Sequence, residues 1–128
     1  MDVQYLNTDL ELESASDLGP IVEAFGEDVL VLHHGTVRGN HRASFEIAGS
    51  HAGPNEDIKY FVALVEALPP SARQLWDGCY SRVFDLGYQS GGGTSSFRSE
   101  LRSNTVQALA KLNATIVFTI YPVTADDT

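Results

Sequence analysis

Five apolar residues, Ile58, Phe61, Val62, Val65 and Leu68, recur at helical spacing between Asn55 and Leu68, and Pro69-Pro70 stops the pattern abruptly. A helix with one greasy stripe is not stable alone in water; it needs a second apolar surface to lie against. The remaining patterns supply that surface mostly as strands. Leu10 and Leu12 alternate with Glu11, so the stretch from Tyr5 to Glu13 reads as a strand. Ala43, Phe45 and Ile47 alternate with Ser44 and Glu46 in the same way. Tyr80, Phe84, Leu86 and Tyr88 share one face of a further strand, with Ser81, Val83, Asp85 and Gly87 on the other.

Two runs are apolar without alternation. Val29-Leu30-Val31-Leu32 and Ile116-Val117-Phe118, within a last strand from Ala114 to Val123, have the pattern of strands covered on both faces, which places them centrally in a sheet. Between the first two strands, Ser16 or Asp17 caps a short helix carrying Leu18, Ile21, Val22 and Phe25, with Gly26 as a left-handed exit. Gly35 to Asn40 forms the turn of a hairpin. Ser71 caps a short helical piece that lays Trp76 over one end of the core. After Gly91-Gly92-Gly93, residues Phe97, Ser99 and Leu101 suggest a short strand, and a helix from Asn104 carries the stripe Val106, Leu109 and Leu112. The order β-α-β-β-α-(α)-β-β-α-β predicts an α+β two-layer sandwich, with a mixed or antiparallel sheet of about five to six strands and helices on one face. A shift of 87 positions lays Ser16 on Ser103, Gly26 on Asn113 and Val29 on Ile116. Each half then reads strand, helix, left-handed exit, strand. Right-handed crossovers make the two strands of each half parallel, whether adjacent or separated by a third, and a true repeat sets the two apolar strands side by side.

A chain of 128 residues, 43% hydrophobic and 20% charged, fits one domain, here residues 1–124, followed by a loose tail at 125–128. The single cysteine, Cys79, has no internal partner and points to a reducing, cytoplasmic setting. No run of apolar residues is long enough to span a bilayer, so no membrane is expected. Eight Lys and Arg against seventeen Asp and Glu give a formal charge of −9. Such a field repels phosphate backbones, which excludes nucleic acid, and attracts basic surfaces.

The segment Phe84-Asp85-Leu86-Gly87-Tyr88, the glycine run 91–93, the stretch from Phe97, the helix ending at Leu112-Asn113-Ala114 and the closing strand Ile116–Tyr121 resemble a bacterial family of domains of unknown function, number four-two-seven-nine. The resemblance covers the C-terminal third. That family's basic, tryptophan-bearing strand after the first helix is matched here by Arg42, with Phe45 in place of tryptophan. The resemblance implies a bacterial origin and brings no catalytic residue with it.

The residues with most capacity for chemistry lie around the predicted hairpin. His33 and His34 end one strand and His41 begins the next, which sets His34 across from His41, with Asp85 or Cys79 as a third group. The spacing matches no compact zinc signature, so no metal and no cofactor is expected. Arg38, His41 and Arg42 concentrate positive charge in an otherwise acidic chain, and can grip a carboxylate or phosphate. His34, Arg38, His41, Arg42 and Asp85 are therefore the candidate binding residues. Gly91 to Ser96 lacks the lysine of a phosphate loop. No nucleophile stands out: nothing basic adjoins Cys79 in sequence, and no serine lies in a Gly-x-Ser-x-Gly elbow. Aromatic residues Phe45, Phe61, Phe84, Tyr88, Phe97 and Phe118 fall on predicted core faces. The leading expectation is a non-enzymatic, acidic protein-protein interaction module, inhibitor-like or immunity-like, for a basic protein. The alternatives are a small-ligand or metal-dependent enzyme using the His/Arg hairpin, and a homodimeric structural domain joined through a strand edge or the Trp76 region.

Overall fold

The computed structural model describes residues 2–49, 51–93 and 96–123. The expected loose tail at 125–128 and part of the Gly91–Ser96 loop lie outside these. Five strands, β1 (Gln4–Ser14), β2 (Val29–Val37), β3 (Asn40–Ile47), β4 (Ser81–Gln89) and β5 (Thr115–Tyr121), form one sheet in the order β2-β3-β1-β4-β5. Four α-helices, α1 (Gly19–Phe25), α2 (Pro54–Glu66), α3 (Pro70–Asp77) and α4 (Ser103–Lys111), complete an α+β sandwich with a mixed sheet. All neighbours pair antiparallel except β4 and β5, which run parallel with α4 as their connection.

The alternation in β1 decides which face meets the helices. Thr8, Leu10, Leu12 and Ser14 are buried, and the register sets Leu10 beside Phe45 and Phe84. Against this row α2 lays Ile58, Phe61, Val62 and Val65, all buried as their spacing requires. Phe61 meets Phe84 edge-on at 5.7 Å and Phe25 of α1 meets Phe45 at 5.1 Å, pairs that add about 1 kcal/mol each beyond their burial. Trp76 from α3 is completely buried in the same core.

Several expectations are corrected. The two continuous apolar runs are the two edges of the sheet, not central strands side by side: Leu30, Val31 and Leu32 on β2 and Phe118 and Ile120 on β5 are exposed. The central strand is β1, whose one polar face disguised its place. Residues 96–101 form no strand, because both sides of β4 are already taken by β1 and β5. Phe97 is correspondingly exposed, and so is Val106, whose place on the buried stripe of α4 belongs to Thr105. The hairpin turn is only Arg38-Gly39, both with positive φ, so Gly35 to Val37 continue β2. No side-chain cap opens α1; Asp17 instead accepts a bond from the Gly19 amide. For α3, Pro69 rather than Ser71 takes the N-cap position. The two halves do share their geometry: Gly26 and Asn113 leave their helices at φ 56° and 54°, β4 and β5 are parallel and adjacent, and β1 and β2 are parallel with β3 between them.

No helix among the described residues is long and apolar enough to cross a membrane.

Candidate functional site

Alternation in β1 sends Asn7, Asp9, Glu11 and Glu13 to the face opposite the helices. Neighbouring strands add Arg42, Ser44 and Glu46 from β3 and Val83 and Asp85 from β4. Among the described residues no helix covers this face, and its side chains are partly or fully accessible. Register then does what composition alone does not: Asp9 lies directly opposite Glu46 on one side and Asp85 on the other. Three carboxylates thus stand abreast across three strands, with Glu11 two residues along.

Directly opposed like charges destabilise a sheet. Asp9 shows the strain most clearly, its pKa being pushed up to about 6, first by partial burial and then by Glu46, Asp85 and Glu11, with His51 opposing. Glu11 is raised as well, by burial first and then by Asp85, while Arg42 pulls it back. Asp85 accepts a 2.7 Å bond from the Thr119 hydroxyl, and Asp9 accepts one from the Asn7 amide at 3.2 Å. Neither partner brings positive charge.

The Asp9 shift has a definite sign. A carboxyl whose folded pKa exceeds its unfolded value of about 3.9 favours the fold fully only below that value, and loses the benefit as pH rises through 6. Asp9→Asn is therefore expected to raise stability at pH 7 by about 1 kcal/mol, after allowance for solvent screening. It should also flatten the fall in stability between pH 4 and 6, which a urea-denaturation series across that window measures.

One end of this face is tied to the helical layer by a chain of polar contacts. His51 places Nε2 3.0 Å from Glu46 and Nδ1 3.1 Å from the buried Asp57 in the first turn of α2. Asp57 also accepts the Tyr5 hydroxyl, which lies 2.7 Å from Thr8 Oγ1. Tyr5 reaches this position because β1 carries a bulge: Tyr5 opposes Tyr88, Asn7 opposes Gly87, and Leu6 is the additional residue. In a regular strand Tyr5 and Thr8, three apart, fall on opposite faces; the extra residue brings them to the same one. Burial and the Asp57 carboxylate raise the Tyr5 pKa, so the hydroxyl stays protonated and donates.

The five residues singled out from the sequence are dispersed. His34 lies opposite Ala43, not opposite His41, which pairs with Thr36, because the two-residue turn at Arg38-Gly39 sets the register. Both rings therefore belong to the helix side, where His34 Nε2 meets Asp17 at 3.2 Å. That contact and the Gly19 amide lower the Asp17 pKa, the amide more. Arg38 sits in the turn. Only Arg42 and Asp85 share the open face, and they are set apart by four residues along β1, about 13 Å. They do not converge on one pocket. Among the described residues no three His, Cys, Asp or Glu side chains are grouped to hold a metal. Burial pushes the Cys79 thiol up, away from nucleophilic character, and its sulfur donates to the Leu75 carbonyl.

Asp9, Glu46, His51 and Asp57 were not singled out from the sequence. The spacing of Asp9, Glu11 and Glu13 at every second residue was its one visible signal. Comparison of the chain with family models, curated proteins and solved structures finds no match in any of the three.

Proposed function

We propose that this chain is a non-enzymatic interaction module whose open sheet face receives a basic protein, in the manner of an inhibitor or immunity factor. The observation that carries the reading is the row Glu46, Asp9 and Asp85, three carboxylates abreast on an uncovered face with no lysine or arginine among them and His51 at the Glu46 end. A lysine or arginine from a partner relieves this repulsion, so part of the binding energy is already stored in the free protein. The overall charge of −9 adds long-range attraction that speeds encounter. A bacterial and cytoplasmic setting belongs to the same proposal, supported by the resemblance of the C-terminal third to family four-two-seven-nine and by the lone thiol.

A decalysine peptide titrated into the labelled protein tests the face directly. Amide shifts are expected on β1, β3 and β4, with affinity falling as salt rises and increasing as pH climbs through 6, where Asp9 ionises. The double variant Asp9→Asn, Asp85→Asn should bind at least about tenfold more weakly. Shifts centred elsewhere, or binding indifferent to these two residues, would refute the reading. Affinity capture from the native host should then return a stoichiometric basic partner.

A further inference from the structure

We infer that β5 is a self-pairing edge, through which two copies of this chain join their sheets into one of ten strands. Four observations lead there, none of which depends on the acidic face.

The first is that the edge is open. Among the described residues β5 has a neighbour on one side only, so its outer row of N–H and C=O groups is available to another strand. The second is that nothing protects it. Edge strands are usually blunted by charge, proline or a bulge; Thr115–Tyr121 reads TIVFTIY, with no charged residue and no register shift, and proline comes only at 122. The opposite edge, β2, is interrupted by the bulge at Leu32 and carries His33 and His34.

The third observation selects the occupant. Antiparallel pairing of β5 with its own copy about Phe118 sets Phe118 opposite Phe118, Ile116 opposite Ile120 and Val117 opposite Thr119. The helix side of the joint is then Ile, Phe, Ile against Ile, Phe, Ile, and this two-fold arrangement closes on itself. The fourth is electrostatic. A second copy also carries −9 and is repelled over most of the surface, but an uncharged strand is where two such chains can approach. Phe118 and Ile120, 58% and 64% exposed beside the buried Tyr88, gain cover from the same residues of the mate.

Sedimentation equilibrium on the full chain, over a dilution series in the micromolar range, is expected to show a monomer–dimer equilibrium with a dimer of twice 13.9 kDa. Phe118→Lys should weaken it by about 100-fold, while Leu30→Lys on the other edge leaves it unchanged. Should Phe118→Lys fail to fold by circular dichroism, Ile120→Lys near the strand end provides the same comparison. The register has its own readout: under mild oxidation Phe118→Cys should cross-link to itself across the axis, whereas Thr115→Cys, opposite Tyr121 of the mate, should not. A chain that remains monomeric throughout, whether or not some other peptide adds to β5, overturns the inference. So does a dimer that survives both lysine variants on β5.

Discussion

Replacing Asn55 by alanine is expected to lower the free energy of unfolding by about 3 kcal/mol and the melting temperature by roughly 10 °C. Asn55 is buried at the start of α2, and its amide binds three groups from the chain that leads into α4. Its Nδ2 donates to the Glu100 carbonyl at 2.6 Å, while Oδ1 accepts the Arg102 amide at 2.9 Å and the Thr105 hydroxyl at 2.8 Å. Alanine leaves those three groups without their protein partner, and the cost is the lost hydrogen bonds rather than the loss of an apolar contact. Thr105→Val removes only one of the bonds and should cost about 1 kcal/mol. Fluorescence of Trp76, the sole tryptophan and fully buried, reports the global transition. Hydrogen exchange should show α4 and β5 opening first in Asn55→Ala, because this side chain anchors the segment entering that unit to α2.

The second large effect is expected at Arg82. Its position on β4, opposite the buried Leu12, faces the helical layer, where a long apolar residue is the ordinary choice, but the guanidinium instead gathers backbone carbonyls. Nη1 donates to Trp76 and Cys79, each at 2.9 Å, and Nε to Asn113 at 3.1 Å. One side chain thereby closes the C-terminal end of α3 and fixes the turn between α4 and β5, where a cation also complements the helix dipole. Arg82→Met keeps the apolar stem and removes the donors, so the loss isolates hydrogen bonding. It should amount to about 2 kcal/mol, less than for Asn55 because water reaches part of the group. Arg82→Lys restores charge without the planar fork and should recover under half of the loss in guanidinium-denaturation curves.

These anchors show where sequence was informative and where it was not. The stripe of α2, the alternation of β1, the left-handed exits at Gly26 and Asn113 and the parallel relation within each half follow from local periodicity, and the fold class follows from them. Position in the sheet does not. An apolar run such as Val29–Leu32 or Ile116–Phe118 records greasy side chains on both faces but not whether a strand lies on both sides. Here those runs are edges. The acidic row was half visible, since Asp9, Glu11 and Glu13 alternate, yet its defining feature is that Glu46 and Asp85 flank Asp9. That is a property of register between segments far apart in the chain. The contacts of Tyr5 depend on a one-residue bulge at Leu6, and the separation of His34 from His41 on a turn of only Arg38-Gly39; nothing periodic announces either.

The central position of β1 has a consequence for biosynthesis. During synthesis β1 can pair with β3 once Ile47 has emerged, but its other flank waits for β4, which ends at Gln89. At ordinary elongation rates that is a delay of roughly two to eight seconds. During it the growing polypeptide displays a naked row of peptide groups and the underside of Leu10 and Leu12, a surface on which nascent-chain chaperones act.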